Sequence, residues 1–513
     1  MALFTRSGLA ADGAGSSLRD RLSRPIDPAS LVFFRVAFGV LIAWEMKRYL
    51  DHYWVVRYYQ EPELLFKYWL FDWVLPLPGL WLPLAFVAIA LAGLFVAAGL
   101  FYRVSAAVVF VGLWYIFLLD KARYLNHWYL LILIALLMLF MPAGRTYSLD
   151  ALRKGGFAGL PSVPIWSVWL LRFQIGVVFF YGGVAKLNAD WLRGEPIATW
   201  LASRQEFPLI GSWFGNRAVG VGMGYAALAF DLLIVFFLLS RRTRPYAFVA
   251  AIGFSLMNDS LFHIGVFPWF MLVGTMMFFE PDWPKQVWAD LRSRNLRGMV
   301  FAAGFAAGFV IGATFPRTFV PIQAAITAVA CGLAVHQLLP ATEPRRRLAL
   351  STAGATRSRL AMGLIVAWVA IQLLVPLRHF VIPGNVHWTE EGHRYSWHMK
   401  LRDKDGMAAF VVIWPETNEF TVVDPNDFLS SRQVDRVATL PDMTVQFANY
   451  LEDLYAEGTD ADLVVLVDGL VTLNSRDPQR LIDPDVDLTR VSVPTFGADW
   501  IIPLDARSTP GQR

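Results

Sequence analysis

Residues 165–191 read IWSVWLLRFQIGVVFFYGGVAKLNADW. The first twenty are apolar and long enough to cross a bilayer as one helix, which makes this a membrane chain. Past two glycines, Gly182 and Gly183, comes a single lysine, Lys186. An ammonium group at the edge of a bilayer is costly unless it is neutralised, paired or used. Taking water away from a lysine favours its neutral amine, which is how such a group becomes a base near neutral pH. The plainer reading is that Lys186 snorkels to the headgroups or pairs with Asp190, one turn on.

The rest of the chain agrees with that span. Of 513 residues, 56% are hydrophobic and only 17% charged, against about 25% in ordinary soluble domains. Mean hydropathy is +0.46. Apolar stretches of spanning length centre on residues 31–46, 81–101, 104–119, 127–141, 165–184, 220–239, 246–263, 264–279, 299–315, 319–339 and 360–377. The first thirty residues are polar, with Arg6, Arg19, Arg21 and Arg24, so no cleavable signal peptide is expected. The single cysteine, Cys331, rules out an intramolecular disulfide.

Charge is divided unevenly. Residues 1–377 hold 33 Lys/Arg and 19 Asp/Glu, a net of +14, whereas residues 378–513 hold 12 and 22, a net of −10. The basic residues gather in loops, so the positive balance reports topology, and no nucleic-acid partner is expected. Arg19 to Arg24, Arg103, Arg145 with Arg153 and Lys154, Arg241 to Arg244, Lys285 to Arg297, and Arg345 to Arg347 all fall on one side when the spans are counted. That side is the cytoplasm, which puts the amino terminus inside and the carboxyl-terminal domain outside. Lys186 then lies at the extracytoplasmic end of the fifth span.

Beyond Leu377 the pattern changes to short β-branched segments, Ala408–Trp414, Glu419–Val423 and Leu463–Val467, broken by Asp, Asn, Pro and Gly. Thr444–Glu457 carries apolar residues at helical spacing. The fold expected is a polytopic α-helical membrane protein of about nine to eleven spans with a carboxyl-terminal extracytoplasmic α+β domain. The expected division is a cytoplasmic tail (1–29), a membrane catalytic domain (30–377) and the α+β domain (378–513). Residues 192–214 mix Trp200, Phe207 and Trp213 with Arg193, Glu195, Arg204 and Glu206, which reads as an interfacial amphipathic helix covering a pocket at the membrane surface.

Other polar residues stand where chemistry could use them. Asn126 and His127 open the fourth span on the same side as Lys186, where an amide and an imidazole could orient and deprotonate a hydroxyl. A helix-start histidine more often caps or sits at the interface. Asn258, Asp259 and His263 lie in or beside the seventh stretch, where a buried amide can simply bond a neighbouring helix. Arg35 and Glu45 could pair with other helices, and Arg172 could snorkel. The segment 385–400 holds His387, His393 and His398, but offsets of 6 and 11 give no helical ligand pair, so no metal is expected there. Glycines in 304–312 read as close helix packing. A phosphate-cradling loop and a Gly-x-Ser-x-Gly elbow are both missing, which disfavours nucleotide-driven transport and serine hydrolysis.

Ordered strings through about 460 residues resemble the vitamin K-dependent gamma-glutamyl carboxylases and their bacterial relatives. They include Asp27-Pro28-Ala29-Ser30-Leu31, Tyr102-Arg103-Val104-Ser105, Phe117 to Lys121 with Asn126-His127, Leu171-Arg172, and Lys186 to Trp191. Met257-Asn258, Ile264-Gly265, Trp388-Thr389, Tyr395-Ser396-Trp397 with Met399, and Ile482-Asp483-Pro484 continue the series.

The resemblance implies that Lys186 is the initiating base on reduced vitamin K, a naphthohydroquinone. Oxygenation of that co-substrate with O2 to its 2,3-epoxide yields a base that removes a glutamate γ-proton, and the carbanion takes up CO2. It implies catalytic roles for Lys186, Asn126 and His127. It also implies quinone contact by Asn258, His393, Tyr395, Trp397 and Met399, with membrane lipids and a peptide or protein glutamate as partners. A bacterial inner membrane is the implied location. Ala185 stands where the animal enzymes have a first lysine, Ser255 where they have a histidine, and His393-Arg394 where they have tyrosine and glycine. Residues 299–339 look like an inserted pair of spans. The chain stops soon after Trp500, without the animal enzymes' extension, so epoxidation without capture of propeptide-linked substrates is expected. A non-catalytic quinone- or lipid-binding module on the same scaffold is the alternative. Lys186→Ala is expected to leave folding close to normal, since Ala suits an apolar helix.

Overall fold

Each of the eleven apolar stretches forms a helix. In the computed structural model, which describes residues 18–156, 162–208, 210–262, 264–314, 320–340, 359–457, 462–493 and 496–505, they are α1 (Ala29–Asp51), α2 (Trp81–Ala98), α3 (Tyr102–Leu119) and α4 (Asn126–Phe140). Then follow α5 (Ile165–Ala185), α6 (Arg217–Leu239), α7 (Arg244–Phe262), α8 (Phe267–Met276), α9 (Leu296–Thr314), α10 (Val320–Leu338) and α11 (Arg359–Leu374). Among the described residues, eight are long and apolar enough to cross a membrane. The other three are α4 and α8, which are shorter, and α7, which carries Asn258 and Asp259. α8 has nine of its ten residues buried, so it is a core helix enclosed by the others.

Two arginines inside this bundle are spent on backbone ends. Arg35 donates to the carbonyls of Ala97, Ala143, Thr146 and Tyr147, tying the ends of α2 and α4 to α1. Arg172 donates to Met277 O and Phe279 O, satisfying carbonyls just past α8 rather than snorkelling. Glu45 pairs with Arg48 on its own helix at 2.6 Å, not with another helix. Gly304, Gly308 and Gly312 let α9 lie on α10, since a Cβ at any of them would sit within 2.7 Å of an α10 atom. Arg345–Arg347 and His263 lie outside the described residues.

The carboxyl-terminal region is a three-stranded antiparallel sheet backed by two helices. Strands β1 (Lys404–Trp414), β2 (Glu419–Val423) and β3 (Val464–Leu473) pair in the order β2-β1-β3. Helices α12 (Ser431–Thr439) and α13 (Pro441–Ala456) connect β2 to β3. α13 starts three residues earlier than its apolar spacing suggested, because Pro441 suits a first helical position and Asp442 a first turn. Phe410, Phe447, Val437 and Val465 fill this second core, and Phe66 and Ala122 from loops of the membrane part belong to it. Gln446 exchanges two hydrogen bonds with the backbone of Lys67, and Gln433 donates to Leu64 O at 2.7 Å. Lys121 and Arg394 both meet Asp442, at 2.6 and 2.7 Å. Burial works against the Asp442 carboxylate, but these two cations outweigh it and hold its pKa down at about 2.

Candidate functional site at the end of α5

Lys186 caps α5, and the residue is 6% exposed. Its Nζ donates to Asp231 Oδ2 at 2.6 Å and to Gly182 O at 3.0 Å. Trp191 lies under the ammonium, with its ring centroid 5.2 Å away. The partner is therefore Asp231 of α6, not Asp190. Two glycines make the approach feasible. A Cβ on Gly183 would stand 2.9 Å from Leu232 N, so only glycine admits α6 so close. A Cβ on Gly182 would meet Met399 Cε at 3.3 Å and Asp231 Oδ2 at 3.5 Å.

The residues after Lys186 each hold one part of this corner. Asn188 accepts from Trp191 N as the cap of a short helix, and its amide donates to Ala185 O. Trp191 Nε1 donates to Gly224 O on α6 at 3.0 Å. Asp190 takes two 2.7 Å hydrogen bonds from Arg476 and one from Asn474, both just past β3. Burial alone would raise the Asp190 pKa, but these donors hold it below the usual carboxylate range.

Asn126 is joined to the same corner through residues 395–399. Its Nδ2 donates to His398 O at 2.8 Å, and its Oδ1 accepts from Tyr124 OH, which in turn accepts from Tyr395 N. Tyr395 packs edge-on against Tyr124 and Tyr129, and Tyr129 lies 5.1 Å from Trp397. Trp397 is fully buried and its Nε1 has no hydrogen-bond partner among the described residues. His127 is half-buried, with its ring 6.2 Å from Phe267.

Residues 23–283 match the HTTM domain family, and residues 357–507 match the vitamin K-dependent gamma-carboxylase lumenal domain. The chain belongs to the vitamin K-dependent gamma-carboxylase family. No solved structure matches it significantly. In this family member, helices α9 and α10 fall between the two matched stretches.

The sequence-read residues separate into two groups. Lys186, Asn126, Tyr395, Trp397 and Met399 come together as described. Asn258 spends its amide on Phe254 O of its own helix, at 2.9 Å. His393 is turned toward Arg402, 3.3 Å away, and Glu390. The expected interfacial helix over 192–214 is instead two short pieces, Ile197–Ala202 and Gly211–Trp213, with Pro208 between them. It does border a cavity of about 230 Å³, lined by Trp200, Arg204, Leu261, Phe262 and Lys400. Lys400 lies over both aromatic rings at 5.5–5.6 Å. Asp231 is the residue that sequence reasoning passed over. Its signal was available: one carboxylate in the middle of the apolar stretch 220–239.

Histidines 387, 393 and 398 offer nitrogens that all lie within 4.8 Å of one another. Helical offsets were the wrong test, because the segment is not helical past Thr389. Glu390, Gly392, Tyr395, Trp397 and Lys400 all have φ between 50° and 76°, and these left-handed residues coil the chain back on itself. Burial, reinforced by the Arg402 guanidinium at His387 and His393, pushes His387 down to about 3 and the other two rings well down.

Proposed function

We propose that this family member acts on reduced vitamin K, converting it to the 2,3-epoxide, with Lys186 as the initiating base and glutamate carboxylation as the coupled outcome. The observation that carries the reading is the Lys186–Asp231 pair at 2.6 Å, buried beside Trp191 and Met399. A buried lysine–carboxylate pair can pass one proton across its hydrogen bond, leaving a neutral amine and a carboxylic acid. Asp231 thus gives Lys186 a place to put its own proton before it accepts another. The ring wall of Tyr129, Tyr395 and Trp397, with the unpartnered Trp397 Nε1, suits a flat apolar ring bearing oxygens. Bound there, the naphthohydroquinone would supply, on deprotonation and reaction with O2, the strong base that takes a glutamate γ-proton. Asn126 fixes the backbone of that wall, and the ring of its chain neighbour His127 stands 6.2 Å from Phe267.

The orientation that goes with this reading places the amino terminus in the cytoplasm, and Lys186 and the α+β domain on the far side. The arginine-rich loops between spans support it. Purified protein in detergent, given reduced vitamin K and O2, should release the epoxide. A module that only binds quinone would bind without turnover, and that result would replace this reading with the alternative.

A further inference from the structure

We infer that His387, His393 and His398 form a binding site for a divalent transition-metal ion of the zinc or cobalt type. His387 is 5% exposed and His398 is 4% exposed. Among the described residues, neither nitrogen of His398 has a hydrogen-bond partner, nor does His387 Nδ1. A neutral imidazole carries one N–H and one lone pair, so His398 leaves both a donor and an acceptor unsatisfied inside the protein, which is costly. An ion accepting that lone pair removes part of the penalty. Three neutral imidazoles are a donor set for such ions, with metal–nitrogen distances of about 2.0–2.1 Å. Ligand nitrogens on one tetrahedral ion stand about 3.3 Å apart, so a pair separated by 4.8 Å must close by about 1.5 Å on binding.

The surroundings are arranged for it. His379 donates from Nδ1 to Pro376 O at 2.8 Å, which sets the lone pair on Nε2, and its ring stands 4.7 Å from His398. Arg402 donates to His393 Nε2, 3.3 Å away, so His393 joins the ion by giving up that hydrogen bond, and Glu390 keeps Arg402 neutralised with hydrogen bonds of 2.7 and 2.5 Å. Because His398 O accepts from Asn126, an ion on the His398 ring would brace the wall described above. The site itself does not depend on any quinol chemistry.

The test is titration of the full-length protein, purified through a histidine-free tag in detergent, with Co2+ alone. The expected result is one equivalent bound with visible ligand-field absorption, displaced by Zn2+ and weakened at least tenfold in His398→Ala and His387→Ala. The exposed His52→Ala should titrate like wild type. His393→Gln, at a half-buried position, makes the same test if the other two variants do not fold. Absence of absorption in the wild type, as for a site satisfied by water, would overturn the inference. So would absorption that survives these substitutions.

Discussion

Lys186 and Asp231 cannot be removed singly without penalty, because each would leave the other as an unpaired charge among apolar helices. Breaking such a pair typically costs about 3–5 kcal/mol, whereas replacing both members with apolar residues is often neutral. That changes the expectation that Lys186→Ala folds like wild type. Helix propensity favours Ala, but the charge stranded on Asp231 is the larger effect. We predict that Lys186→Met and Asp231→Leu each lower thermal stability markedly. The double variant should regain most of it while remaining inactive in epoxide formation. Additive losses in the cycle would show that the two side chains are not coupled. Lys186 was legible in the sequence because a lysine closing an apolar span stands out. Its partner was not, since nothing in the stretch 220–239 says which neighbouring helix it faces, and Asp190 was nearer in sequence.

At the scale of elements, periodicity and hydropathy were enough to place the eleven helices α1 to α11, including the short α4 and α8, but not the helix Trp283–Ser293, which the sequence read only as a basic loop. The segment 385–400 was not legible. Its course depends on Glu390, Tyr395, Trp397 and Lys400 adopting left-handed backbone, which non-glycine side chains rarely do and no motif announces. The approach of α6 to α5 is likewise a glycine effect visible only once both helices are placed. Gly183→Val should drive the added carbons into Leu232, cost about 1–3 kcal/mol and displace Asp231 from Lys186. Epoxide formation should fall with it. On α6 itself, Gly222 has open space where a Cβ would go, so Gly222→Ala should be neutral or stabilising by up to about 1 kcal/mol, with activity unchanged. Equal losses at the two positions would count against close packing as the cause.

For the whole molecule, the α+β domain is fastened to the membrane helices at both ends of the site. Asp190 with Arg476 holds one end, and Lys121 with Asp442 holds the other. The sequence divided the chain at the change from apolar runs to strand-and-turn chemistry. It could not show these links, which join residues hundreds of positions apart. The proposed orientation predicts accessibility in a Cys331→Ala background. Glu416→Cys, on an exposed turn of the α+β domain, should react with a membrane-impermeant thiol reagent from outside. Arg242→Cys, in the exposed loop between α6 and α7, should be protected until the membrane is opened. The reverse pattern would remove Lys186 from the far side. The central claim is that Lys186 is the base, and it is tested most directly by chemical rescue. Lys186→Ala should lose at least a hundredfold in epoxide formation from reduced vitamin K, and small primary amines should restore turnover in proportion to their free-base concentration. Turnover by Lys186→Ala at the wild-type rate with no amine present would contradict the account.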